Sequence, residues 1–462
     1  MYIRKILIEN IRCFDRVELD LTRSDGSLAG WTVLAGRNGT GKSTLLKAIA
    51  LAVAGPEVAR SLQRGFDDWL KLGAESANTE VQLDYPVTND LGDDDIVDVT
   101  GGLRWQRSQQ GPEPSMHAVA SDEDRHLLDI GPWHPVSWGC FTAAYGPFRR
   151  IGFRDNYQPP KPLSEARLES LFDEDVTLAE SIHWLKDVRA VRLELEDRAR
   201  RAAPDEAPKL EIQARKQAEL YDDVLALLND GLLPDGVRVI GLDMQRGLLV
   251  EQGEVERPLR SLSDGYRAAI ALVLDIVRQM YRTFPGLFER RFDVERRTAK
   301  DGKERVQIPY EGIVLIDEVD AHLHVSWQQR IGFWLKEHFP NVQFIVTTHS
   351  PFVCQAADPK GLIRLPVPGS GERVEHVSED LYDTVVNGDV DDAVMTALFG
   401  LERTHSDEAE ALRSRVAKLQ AKMMRGHATP EEKEEMKRLS ARLPKTGSAL
   451  VQQTLRKLGE PG

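Results

Sequence analysis

Eight residues constrain this chain more than any others. Gly36-Arg-Asn38-Gly39-Thr-Gly41-Lys42-Ser43 fits the spacing G-x-x-x-x-G-K-[ST] in full. It lies between a short apolar run, Trp31 to Ala35, and a stretch of strong helix formers that begins at Ser43. The order strand, glycine loop, helix gives the spacing a mechanical meaning. Glycines let successive backbone N–H groups fold around an anion, and the helix presents the positive end of its dipole to it. Phosphate suits that cradle. Lys42 then reaches the β and γ phosphates of a nucleotide and Ser43 offers its hydroxyl to Mg2+. Gly36, Asn38, Gly39, Gly41 and Thr44 complete the cradle, so ATP and Mg2+ are the expected cofactors.

Two later apolar runs, Gly312-Ile-Val-Leu-Ile316 and Val342-Gln-Phe-Ile-Val-Thr347, read as strands of a parallel sheet covered on both faces. The first ends in Asp317-Glu318. Such a pair supplies a metal ligand, Asp317, and a base, Glu318, that orients and deprotonates an attacking water. The second runs into Thr348-His349-Ser350, and neighbouring strand ends bring His349 within reach of a γ-phosphate as its sensor. Leu262-Ser263-Asp264-Gly265-Tyr266 opens a helical stretch, Asp264 to Tyr281, and offers a hydroxyl, free N–H groups and a dipole. It is either a plain serine N-cap or a second phosphate device. One nucleotide has no use for two cradles on the same face. The second is therefore expected to grip a phosphate held by another subunit, with ATP between two copies.

The chain has 462 residues, enough for roughly two to three domains or one composite domain. Residues 1–175 form the expected N-terminal lobe with the Gly36 loop, and 234–400 the C-terminal lobe with Ser263, Asp317 and His349. Between them, 176–233 repeats apolar residues at helical intervals around a proline break and reads as a helical hairpin. Residues 401–462 read as a second, charged hairpin, with Thr429-Pro430-Glu-Glu starting its second arm. Residues 79–107 alternate like strands, and 108–135, rich in Gly, Pro, Ser and His, read as loop. Cys13, Cys140 and Cys354 lie too far apart for a zinc site or a disulfide framework. No run is long enough to span a membrane, and no signal-peptide core opens the chain, so a cytoplasmic location is expected. A net charge of −14 argues against coating nucleic acid through bulk charge.

Several motifs together resemble the ABC-class ATPases of the structural-maintenance, RecF and OLD group: Ile6-x-Ile8-x-Asn10-Ile-Arg-x-Phe14, the Gly36 loop, Leu262-Ser-Asp-Gly265, Leu315-Ile-Asp-Glu318-Val-Asp-Ala-His322-Leu-His324, and Thr348-His-Ser-Pro351. The resemblance covers roughly residues 1–400. It implies an α/β P-loop NTPase fold of ABC type, with a split nucleotide-binding domain, a helical insertion and a C-terminal helical hairpin. Lys42, Glu318 and His349 would be catalytic. Ser263 and Gly265 would contact the γ-phosphate in trans, and Ala321 to His324 would stand where a D-loop crosses the dimer, with His324 in place of the usual aspartate. Gln63, Gln82 and Gln158 are imperfect candidates for the Q-loop glutamine. Tyr145-Gly-Pro-Phe-Arg149-Arg150 and the histidines of Asp317 to His324 look like the nuclease-partnered ATPases of anti-phage systems, the Septu-type ATPase subunit among them.

That resemblance implies an ATPase that forms a homodimer or a higher even-numbered oligomer and controls an HNH-type nuclease or DNA-processing partner. The alternative is a RecF-like DNA-binding repair ATPase without a nuclease partner. No nuclease centre is expected here, because Asp389-Val-Asp391-Asp392 reads as helix N-terminal acids. From Arg278 to Arg305, nine basic and five acidic residues, Arg290, Arg291, Arg296 and Arg297 among them, give a local net of +4. This is a DNA or partner contact or a solvated loop. Arg149 and Arg150 serve phosphate contacts or packing, and Ser406 to Leu443 is the candidate docking element.

Overall fold

The computed structural model describes residues 1–88, 94–108, 111–136, 140–150, 161–284, 295–298, 304–400 and 406–443. The described residues divide into one compact unit within 1–399 and a second within 400–443.

The N-terminal alternation of apolar and charged residues becomes β1 (Tyr2–Glu9) and β2 (Arg16–Asp20), with Ile3, Ile6, Ile8, Val17 and Leu19 turned inward. β3 (Gly30–Ala35) leads through the glycine loop into α1 (Lys42–Leu62). Then β4 (Ser76–Thr88), β5 (Asp94–Gln106) and β6 (Ser115–Val119) complete an antiparallel sheet ordered β2-β1-β4-β5-β6. α2 (Asp122–Ile130) follows, started by Ser121, whose hydroxyl accepts from the Asp124 N–H at 3.0 Å. The loop expected over 108–135 therefore contains a strand and a helix. The cause is Ser121 capping a first turn that carries three acids, with an edge strand held by β5 before it.

β7 (Thr142–Tyr145), also missed in the sequence, is followed by two helical turns, α3 (Leu163–Ala166) and α4 (Glu169–Phe172). Next come the paired helices α5 (Ala179–Arg201) and α6 (Ala207–Asn229). Their inner ends bury Ile182, Leu185, Val188, Val224, Leu227 and Leu228, while Val191, Leu193 and Ile212 toward the outer end stay exposed. β8 (Arg238–Asp243), β9 (Gly247–Gln252) and β10 (Val255–Pro258) make a small sheet before the long α7 (Asp264–Thr283). β11 (Glu295–Thr298) pairs with β12 (Glu304–Gln307).

The second large sheet draws on distant parts of the chain. β13 (Gly312–Ile316) lies parallel to β7 on one side and to β14 (Val342–Thr348) on the other, and β14 lies parallel to β3. Between β13 and β14 run α8 (Val325–Gln328) and α9 (Ile331–His338). α10 (Pro351–Cys354), β15 (Leu362–Arg364), β16 (Glu375–His376), α11 (Glu379–Asn387) and α12 (Val390–Met395) complete the unit. The sheet order is β16-β15-β3-β14-β13-β7. Alternate side chains serve two cores. Leu34, Ile313, Leu315 and Ile345 pack with α1 and the antiparallel sheet, whereas Val33, Val314, Ile316, Phe344 and Val346 pack with α7 and the inner ends of α5 and α6. At roughly 1.5–3 kcal/mol per buried aliphatic side chain, these two layers fix the strand register and so the positions of the strand ends.

In the second unit, α13 (Asp407–Met424) and α14 (Pro430–Ser440) run antiparallel, joined by Arg415 to Glu435 at 2.7 Å and by Lys422 to Glu432. Thr429 and Glu432 form a reciprocal capping box at the start of α14. Among the described residues, no helix is long and apolar enough to cross a membrane.

Candidate functional site

The parallel arrangement of β3, β14 and β13 carries the Gly36 loop, His349 and the Asp317-Glu318 pair to one end of the sheet. Gly41, the residue before α1, has φ +89°, and a Cβ there would stand 2.6 Å from both Cys13 Sγ and Phe14 Cζ. Only glycine meets both the left-handed backbone and the closeness of the Cys13-Phe14 turn. Lys42 is buried, and its Nζ donates to the carbonyls of Gly36 at 2.9 Å and Arg37 at 3.0 Å. The ammonium thus closes the loop on itself. No acidic residue occupies the first turn of α1, which leaves its positive end to an outside anion.

Asp317 is buried at the end of β13, and its Oδ1 accepts from Thr347 Oγ1 at 2.5 Å. The same hydroxyl accepts from the Glu318 N–H at 2.7 Å, so one threonine of β14 fixes both acids. Glu318 has φ +45°, a left-handed conformation that costs a non-glycine residue roughly 1–3 kcal/mol. Asp317, Glu318 and Asp320 all act on Lys42 and on His349 through space, partly offsetting the burial that holds the Lys42 ammonium below its usual range. Five of the expected residues therefore share one electrostatic site with the Gly36 loop: Lys42, Ser43 beside it on α1, Asp317, Glu318 and His349. Glycine cradle, ammonium, hydroxyl and carboxylate are the donor set that a magnesium-bound triphosphate needs.

Burial first, then the Lys42 charge, holds the half-buried His349 imidazole below its ordinary pKa of 6.5. The folded chain then sheds this proton more readily than the unfolded chain. Stability falls as pH drops from about 6.5 toward the depressed value. Buried His338 acts with the same sign. In melts between about pH 7 and pH 5, His349→Gln is expected to reduce, not remove, the acid-side loss of stability. An unchanged slope contradicts this account of His349.

Ser263 is the exposed N-cap of α7, and its side chain makes no cap hydrogen bond. Gly265, the second residue of α7, is required by the chain's own packing, because a Cβ there would lie 2.6 Å from the carbonyl oxygen of His322. His322 itself has φ +64°. His324 begins α8, its Nδ1 accepting from the Ser326 N–H at 3.3 Å. It thus does the capping work for which aspartate is usually chosen.

A family described as "AAA domain, putative AbiEii toxin, Type IV TA system" matches residues 31–355, from the strand before the Gly36 loop to just past His349. The chain belongs to this AAA-domain family. Septu protein PtuA of Bacillus mycoides (strain KBAB4) is 27% identical over 352 residues, 76% of this chain and 38% of that relative. This chain thus corresponds to well under half the length of that protein. Retron Ec83 probable ATPase of Escherichia coli is 25% identical over 407 residues, 77% of this chain and 70% of that one. Among solved structures, an Smc head domain with a coiled coil and joint derived from Pyrococcus yayanosii is 15% identical, with a TM-score of 0.44, over 84% of this chain and 99% of that one.

The AAA-domain site also contains residues that sequence reasoning left open. Neither described glutamine candidate reaches the Asp317 end of β13. Gln63 ends α1 and donates to Gly65 O at 2.9 Å, and Gln82 sits within β4. Gln158 lies outside the described residues. The segment that does reach it leaves β7 and carries Arg149, and of the two arginines only Arg149 is buried in contact with the site. In the basic stretch, Arg278 is spent inside, paired with Asp275 and Glu180, and Arg305 pairs with Glu337 at 3.0 Å. Arg296 and Arg297 belong to β11, while Arg290 and Arg291 lie outside the described residues. Asp389 caps α12, with Asp391 and Asp392 in its first turn, the placement the helix dipole favours. Among the described residues, no group of three or more His, Cys, Asp or Glu is placed to hold a metal ion.

Proposed function

We propose that the chain binds and hydrolyses ATP with Mg2+, that nucleotide drives two copies together, and that the closed dimer controls a nuclease or other DNA-processing partner. The observation that carries the first part is the shared site of Lys42, Asp317, Glu318 and His349 at the end of one parallel sheet. Gly36, Asn38, Gly39, Gly41 and Thr44 supply the phosphate cradle, and Lys42 exchanges the carbonyls of Gly36 and Arg37 for phosphate oxygens. Ser43 and Asp317 hold the metal, which when bound draws charge from the phosphate oxygens. Glu318 orients the water and takes its proton, and His349, neutral at pH 7, hydrogen-bonds at the γ-phosphate side.

The exposed Ser263 at the start of α7 supports the second part. Among the described residues its hydroxyl makes no cap hydrogen bond, which leaves it and the helix N-terminus behind it to an outside ligand. Likeness to the Septu protein and the retron ATPase supports a role in anti-phage defence; the proposal adds a nuclease of HNH type as the partner, docked through α13 and α14.

Sedimentation of the Glu318→Gln protein with and without Mg-ATP tests the dimer. ATP is expected to double the mass. Ser263→Arg, added to the same protein, is expected to keep nucleotide binding and lose the mass change. Assembly that ignores ATP, or that survives Ser263→Arg, contradicts the sandwich.

A further inference from the structure

Arg149 is 3% exposed, and among the described residues its guanidinium donates to backbone carbonyls only. Nη1 donates to Gly146 O at 2.9 Å and to Asp317 O at 3.0 Å. Nη2 donates to Glu318 O at 3.0 Å, Val319 O at 3.2 Å and Ala321 O at 3.4 Å. Four of these five acceptors come from the turn that carries Asp317 and Glu318, which begins where β13 ends. That turn is unusual in two respects. Glu318 at φ +45° and His322 at φ +64° both occupy the left-handed region, and Asp317, Glu318 and Asp320 crowd three carboxylates into four positions.

Two backbone hydrogen bonds run within this turn, Ala321 N–H to Glu318 O at 2.8 Å and Leu323 N–H to Asp320 O at 3.0 Å, and they leave the carbonyls of Asp317, Val319 and Ala321 to other donors. Three of its other N–H groups bond the flanking strands: Asp317 N–H bonds Tyr145 O of β7, Glu318 N–H bonds Thr347 Oγ1 of β14, and Val319 N–H bonds Thr347 O. The carbonyls of Asp317, Glu318, Val319 and Ala321 all point toward one planar cation. The geometry points to Arg149 as the positioning residue of the hydrolytic centre, a buried cation that locks the Asp317–Ala321 turn so that the Glu318 carboxylate stays aimed at the attacking water. Arg149 acts through the turn and touches neither nucleotide nor water. Its planar fork explains the choice of residue, because the compact ammonium of lysine cannot spread donors over five acceptors. The three nearby carboxylates favour its charged form and oppose the burial that pulls its pKa to about 10, so it remains a cation at neutral pH.

This inference rests on the ATPase reading above, and the test separates the two. The 462-residue chain carrying Arg149→Lys is compared with wild type for Mg-ATP affinity and for single-turnover hydrolysis, each alone and combined with Glu318→Gln. Affinity is expected to stay within about threefold. Hydrolysis is expected to fall about 10- to 100-fold, the cost of a small misplacement of a catalytic group. In the Glu318→Gln protein, where there is no base left to aim, Arg149→Lys should have little further effect. Equal losses in both backgrounds, or loss of affinity in step with loss of hydrolysis, would mean a general structural role and overturn the inference. Wild-type chain without hydrolysis would instead overturn the ATPase reading. Hydrogen exchange on the wild-type chain needs no variant: the hydrogen-bonded amides of Asp317, Glu318, Val319, Ala321 and Leu323 should exchange as slowly as those of β13, and exchange at the rate of an open loop contradicts the lock.

Discussion

Glu318→Gln is expected to keep Mg-ATP bound while lowering turnover roughly 10²- to 10⁴-fold, the usual worth of a positioned general base. The substitution keeps the shape of the side chain and leaves the Glu318 N–H on Thr347 Oγ1, so the turn after β13 should keep its conformation. What disappears is the ability to take a proton from water, the second of the two roles the proposal assigns to this residue. Binding by calorimetry and phosphate release by single turnover give the two halves of the result. A parallel loss of both would mean that Glu318 shapes the site and does not act as its base. Turnover equal to wild type would assign the base elsewhere, with Asp320 the nearest alternative on the same turn.

The second large effect belongs to Lys42. Lys42→Met keeps the apolar stem that α1 buries and removes the ammonium, so the fold should survive. The phosphates then lose a charged donor. Hydrogen bonds to charged groups are worth about 1.5–3 kcal/mol each, which converts to a loss of roughly 10- to 150-fold in Mg-ATP affinity for every one that Lys42 makes. With hydrolysis resting on the same ammonium, turnover should drop below detection. Titration calorimetry beside a thermal melt separates this from unfolding. Full affinity in a folded Lys42→Met protein contradicts the cradle. The folded chain has a competing use for this lysine, because Gly36 O and Arg37 O hold Nζ when no anion does. Binding therefore exchanges hydrogen bonds instead of creating them from nothing, and the net gain lies toward the lower end of that range.

The parts of this site that could be read in the sequence are those whose chemistry is local. The glycine loop announces itself by spacing, and β13 and β14 by apolar runs that fit a sheet buried on both faces. Once these strands are parallel neighbours, the convergence of Asp317 and His349 follows from register alone. The rest depends on contacts between distant segments. Thr347 looks like one more β-branched strand residue, yet its hydroxyl binds two consecutive residues of the adjacent strand end. Arg149 has partners as far as 172 positions away, and nothing near it in the chain distinguishes it from Arg150. β7 is only four residues long, too short to show a period, and is a strand because β13 gives it a partner. Arg278 looked like part of a basic patch because its acidic partners are Asp275, three residues earlier on the buried face of α7, and the distant Glu180. Gly265 suits a phosphate contact by its position at a helix start, but its lack of a side chain is also demanded by His322 O, a requirement visible only once the two loops are packed. The helix in 108–135 could have been found, since Ser121-Asp-Glu-Asp124 is a capping signature that the surrounding Gly, Pro and Ser obscured.

Phosphate release by the 462-residue chain with Mg-ATP, set beside the same chain carrying Lys42→Met, bears most directly on the claim that the Gly36 loop and the Asp317-Glu318 pair form one hydrolytic centre. Saturable release by the first and none by the second is the predicted result. Release that Lys42→Met leaves unchanged, or tight ATP binding by the unsubstituted chain with no release whether or not DNA is supplied, would contradict it.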